Sequence, residues 1–141
     1  MKNKITSPVL LAMSILIVSI PLLAHHGNAI YDSKKSVTMK ATVTEWWWAN
    51  PHCLLMYDAK GGDGQISHWV VETSAPVNII PNGWSKNSLK PGDVVTVTIE
   101  PAKNGKPIGR IESVTLADGK TLIGAAAEHF VQKDVDEGHT K

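Results

Sequence analysis

A single cysteine, Cys53, stands among 141 residues. One thiol cannot close an internal disulfide, so packing and hydrogen bonds must hold the fold. Cys53 itself reads as a buried small hydrophobe, with a reactive thiol or a ligand as the alternatives. Neither sign of charge is in excess: Lys and Arg total 14, Asp and Glu 13. There is no run of like charge and no concentrated basic face, so nucleic acid is not an expected partner. The His-x-x-x-His and Cys-x-x-Cys spacings of ordinary metal sites are also missing. No two carboxylates have an acid–base spacing, and Ser74 and Ser88 lack the setting of an activated nucleophile. The chain is therefore not expected to be an enzyme. Its longest apolar run, Val9 to Leu23, is about 15 residues, short of the roughly 20 that a spanning helix needs.

That run has the build of a secretory signal. Lys2 and Lys4 precede it, and Pro21-Leu22-Leu23-Ala24 closes it with a small residue. A signal peptide over 1–24 implies export to the periplasm and no membrane span after its removal. It leaves about 117 residues, enough for one domain with one modest core. Without Lys2 and Lys4, the net charge moves from +1 to −1.

Behind the junction, 25–35 is a polar N-terminal arm, and 36–124 has the punctuation of a small β domain. Val37, Met39, Ala41 and Val43 alternate with Thr38, Lys40, Thr42 and Thr44, the pattern of a half-buried strand. Its phase would then bury Glu45 and expose Trp46 and Trp48. A β-bulge near Thr44-Glu45 repairs this, turning Trp46 and Trp48 inward and leaving Trp47 the most exposed. Asn50-Pro51 signals a turn. Cys53 to Tyr57 and Ile66 to Glu72 read as the second and third strands, joined through Lys60-Gly61-Gly62-Asp63-Gly64. Ser74 is placed to cap a short helix with Pro76 in its first turn, stopped by Pro81 and Gly83. A fourth strand buries Val95, Val97 and Ile99, a fifth runs from Ile108 to Leu116, and Thr121 to Ile123 is a last short segment. Residues 125–141 read as a flexible tail. Three strands, a short helix and two more strands give the element order of an OB-like barrel. The expected fold is mainly β, a five- to six-stranded barrel with one short helix between strands 3 and 4.

Several pieces of the sequence together resemble a family of small exported bacterial proteins, domain of unknown function number 6152. They are Ala24-His25-His26, Trp48-Ala49-Asn50-Pro51-His52, Trp69-Val70-Val71-Glu72 with Pro76, Gly83-Trp84, Ser88-Leu89-Lys90-Pro91-Gly92-Asp93 and Val114-Thr115-Leu116-Ala117-Asp118-Gly119. The chain departs from the family in having Gly27-Asn28 after the His pair and three consecutive tryptophans. The resemblance implies a periplasmic barrel and brings no catalytic residue with it.

Chemistry must therefore come from the residues themselves. Cleavage after Ala24 would put His25 first, and its amino and ring nitrogens would form a chelate suited to Cu(II). Cleavage one residue earlier would make His26 third, which also gives a terminal copper chelate. His25, His26 and His52 are the expected metal ligands, with copper or another transition metal as the cofactor. Trp46, Trp47, Trp48 and Asn50 are the expected ligand-binding residues, since aromatics on a barrel face stack on bases or sugars. The function this predicts is a periplasmic binding protein for a metal ion or small ligand. One alternative is an envelope assembly module that docks a protein partner on a Trp-rich edge. The other is a copper-dependent oxidative enzyme.

Overall fold

In the computed structural model the alternation of Val37 to Val43 becomes strand β1, Val37–Trp47. The structure describes residues 27–127, so His25, His26, residues 1–24 expected as a signal peptide, and everything beyond 127 lie outside the described residues. The described part divides into two units after Ile30. The first contributes a 3-10 turn, Gly27–Ile30. The second, from Tyr31, carries the barrel.

In β2, Cys53–Lys60, every second residue from Cys53 to Ala59 is buried. Then come β3, Ile66–Thr73, and α1, a single helical turn at Pro76–Ile79. The chain continues with β4, Val94–Pro101, β5, Ile108–Thr115, and β6, Thr121–Ile123. The sheet order is β3-β2-β1-β4-β5-β6, and a parallel β3–β5 pairing at Val70↔Ile108 to Glu72↔Arg110 closes it. Five strands thus form the closed barrel and β6 adds to the outside of the ring order. This is the expected OB-like arrangement, with the short helix between strands 3 and 4.

The inward phase of each strand supplies the core: Val43, Leu55, Tyr57, Val71, Val97, Ile99, Ile111 and Val114 are all at most 1% exposed. Each such aliphatic side chain contributes about 1.5–3 kcal/mol by leaving water. Cys53 belongs to this set at 0% exposure, donates weakly to the Ala49 carbonyl at 3.7 Å, and has its thiol pKa pushed up by burial. It is the small hydrophobe its composition suggested. Gly124 is where the segment after β6 crosses β5. A Cβ there would lie 2.3 Å from the Ile111 carbonyl oxygen, so no side chain fits.

The bulge in β1 is present. Val43 pairs with Tyr57 and Glu45 with Met56, leaving Thr44 as the extra residue. The turn before β4 holds the bulge from the other side, because Asp93 and Gly92 exchange backbone hydrogen bonds of 2.8 Å with Val43. The helix start differs from expectation. The N-cap is Ala75, extended at ψ 153 as a residue before proline must be, and no side chain caps the turn. Ser74 instead keeps to the sheet, its carbonyl accepting from Cys53 N at 3.3 Å.

Candidate functional site

Two groups of candidate residues lie near the Asn50-Pro51 turn. The first is aromatic. With the bulge in place, Trp46 is half-buried and tilted against Trp48 at 5.9 Å and Trp84 at 5.2 Å. Its indole donates to the Ser85 carbonyl at 3.1 Å, and Trp84 donates to Ile123 at 2.7 Å. Trp46 and Trp48 therefore pack onto the core, while Trp47 on the opposite face stays 48% exposed. Trp47 donates its indole N–H to the Glu45 carboxylate. Asn50 is exposed in the cis Asn50-Pro51 turn. The expected ligand-binding set is thus divided: Trp46 and Trp48 join Trp84 in one cluster, and Trp47 and Asn50 face solvent.

The second group is polar, and its members come from positions far apart in sequence. Glu72, Arg110 and Glu100 take the outward phase of β3, β5 and β4, and the register sets them side by side. Arg110 donates from Nε to Glu100 Oε2 at 3.2 Å, and its Nη2 lies 3.0 Å from the same oxygen. The pair is buried although it is on the outer side of the barrel, with Glu100 1% and Arg110 9% exposed. Part of the cover comes from the chain's entry into the barrel. Tyr31 bridges to Ala102, and Asp32 N donates to the Pro101 carbonyl at 2.9 Å. Glu72 is the carboxylate that acts on the Tyr31 hydroxyl. Burial of the hydroxyl and the Glu72 charge push the Tyr31 pKa well above the ordinary phenol range, against a smaller opposing pull from Arg110. His52, the first residue after the turn, has its Nδ1 3.7 Å from Glu72 Oε2 and its side chain 51% exposed. Glu72 is therefore the point at which the exposed imidazole and the incoming chain meet.

Two residues along β5, Glu112 accepts from the Ser36 hydroxyl at 2.8 Å. Burial raises its pKa, the Ser36 bond lowers it, and the neighbouring Glu100 charge raises it further, for a net rise. The folded state thus holds this proton more tightly than the unfolded chain. Stability from this group is full below the ordinary carboxylate range and is lost as pH rises through the Glu112 pKa. Glu112→Gln is expected to remove that loss, raising stability at pH 7.5 by less than about 1 kcal/mol. Urea unfolding at pH 5 and pH 7.5 measures it, and a variant weaker than the parent at pH 7.5 refutes it.

Reasoning from sequence placed Glu72 at a strand end but did not find its association with Tyr31, Arg110 and Glu100. The available signal was weak: each is a charged or polar residue on the outward phase of its own strand, a place where solvation is the ordinary expectation. Among the described residues no group of three His, Cys, Asp or Glu side chains is arranged to hold a metal ion. His52 contributes one donor, and His25 and His26 lie outside the described residues. His68, the other described histidine, is committed to Asp58 at 2.5 Å.

These features define a small closed OB-like barrel with a buried ion pair under the entering chain and an exposed histidine beside it. The chain belongs to a family of unknown function, DUF6152, whose sequence profile matches residues 12–111. That span includes the His25-His26 junction and the Trp48 to His52 segment. It ends in β5, before the Val114 to Gly119 piece. No curated protein and no solved structure matched the chain. Among the described residues, no helix is long and apolar enough to cross a membrane.

Proposed function

We propose that the protein is a non-enzymatic binding module of the periplasm that takes up a copper-like transition metal through its N-terminal histidines. The observation that carries this reading is the shared position of Tyr31 and His52 at Glu72. His26 precedes Tyr31 by five residues in the chain. Amine and imidazole nitrogens suit Cu(II), and a carboxylate behind His52 would orient its ring in the way outer-shell groups support metal-bound histidines.

The test is a Cu(II) titration of the exported, processed protein beside two variants. One carries an added N-terminal Gly-Ser, and the other is His52→Ala. The blocked terminus is expected to bind about 100-fold more weakly, a loss of about 2.7 kcal/mol. His52→Ala should weaken binding by a smaller factor. Equal affinities in all three would end the reading. The intact mass of the exported protein, with and without chelator, locates the cleavage point and any metal held through purification.

One observation favours a second reading. Trp47 is a large ring left 48% exposed on an edge where its two neighbours are packed, and an exposed tryptophan of this kind suits docking on an envelope protein. A metal-free exported protein that loses its partner on Trp47→Ala would support this reading over the first.

A further inference from the structure

A cleft of about 790 Å³ opens at the far end of β3 from α1, away from the histidine and tryptophan groups. Its cause lies in the strand registers. β1 pairs with β2 only from Ala41↔Ala59 onward, while its first half pairs with β4. β3 joins β5 only from Val70, so its Ile66 to Trp69 half is held by β2 alone. The β2–β3 hairpin therefore diverges from the start of β1, and the inward phase of three strands lines the opening. Met39, Ala41, Ala59 and Trp69 line its inward side. The two alanines leave the room that a larger core residue would fill.

We propose that this cleft is a binding site for a small aromatic carboxylate. Its size falls in the range of ligand pockets, which are mainly apolar with a few placed polar groups. Trp69 is stacked nearly parallel on Tyr57, at 6.2 Å and 6°, which fixes the plane of its ring. A flat ligand that continues this stack gains offset aromatic contact, and the flexible Met39 can adapt to its edge. Charge selects the sign of the polar group. Lys40 and Lys60 both line the cleft, and neither is held in an ion pair among the described residues. Asp58, the carboxylate on the same rim, is taken by His68. Two lysines against one carboxylate that already has a partner make the lining favour an anion over a cation. None of these residues belongs to the proposed metal set, so the two sites stand or fall separately.

The probe is 2-naphthoate, with 2-naphthylmethylammonium as the same ring bearing the opposite charge, titrated into isotopically labelled full-length protein without added metal. Amide and indole shifts are expected at Met39, Ala41, Ala59 and Trp69, with 2-naphthoate binding more tightly than the cation. The double variant K40Q/K60Q should keep the parent spectrum elsewhere and bind 2-naphthoate about tenfold more weakly. Trp69→Leu, which keeps an apolar side chain at the position, should lose the stacking contribution. Equal binding of anion and cation, shifts centred on Trp47, or no shifts in the cleft would each overturn the proposal.

Discussion

Arg110→Met is expected to destabilise the barrel by about 3–5 kcal/mol, because it leaves a buried carboxylate without its cation. Glu100 is 1% exposed, and both contacts from the guanidinium go to the one oxygen Oε2, at 3.2 and 3.0 Å. The other oxygen, Oε1, has no hydrogen-bond partner among the described residues. Removing Arg110 would therefore leave the whole carboxylate unpartnered in a site closed to water. Arg110→Lys should recover only part of the loss, since an ammonium is a point donor and cannot reproduce two converging N–H groups from a planar fork. The informative comparison is E100M/R110M. Replacing both charges by apolar side chains removes the desolvation cost together with the attraction, and the double variant should recover most of the stability. Chemical denaturation of the parent, Arg110→Met, E100M and E100M/R110M at neutral pH provides the cycle, with Arg110→Lys measured beside it. A loss below about 1 kcal/mol in Arg110→Met would mean that solvent reaches Glu100 in solution.

The same pair shows what could be read from the sequence and what could not. Period-two alternation gave the inward residues of β1 and β4, because burial of one face constrains those positions directly. The bulge was readable for the same reason: without it Glu45 would enter the core and Trp46 leave it, and the register shift after Val43 is how the chain resolves that conflict. Glu100 and Arg110 carry no such conflict. On their own strands they occupy the outward phase, and part of their cover is the entry of the chain at Tyr31 and Asp32. Their burial is a property of the closed barrel and the segment laid across it, which no local pattern records. The helix start failed for a related reason. Ser74 has the side chain of a cap, but its backbone is committed to Cys53 and the following proline holds Ala75 extended. The cleft was invisible because it arises from where pairings stop, at Ala41↔Ala59 and at Val70, rather than from any residue type.

Trp84→Ala should cost about 3–5 kcal/mol, the second large effect, and it bears on the use of the tryptophan-rich strand. Trp84 is 2% exposed, follows a left-handed Gly83 at φ 85, and places its indole N–H 2.7 Å from the Ile123 carbonyl. It thus links the segment after α1 to β6, while its ring packs on Trp46 from the bulged strand. Truncation removes the ring, opens a cavity against Trp46 and leaves the Ile123 carbonyl without its donor. Trp84→Phe keeps an aromatic ring but not the N–H, so a smaller loss of about 1–3 kcal/mol is expected. Trp46→Ala combined with Trp84→Ala should fall short of the sum of the single losses, because each single variant already disrupts the shared contact. Trp47 tests the contrast. It lies next to Trp46 in sequence but outside this packing, and Trp47→Ala should change stability by no more than about 0.5 kcal/mol. Denaturation curves of the three alanine variants would then separate the two packed rings, Trp46 and Trp84, from the surface ring of Trp47. If Trp47→Ala instead unfolds the protein as readily as Trp84→Ala, the exposed ring is part of the core support and the docking reading loses its basis.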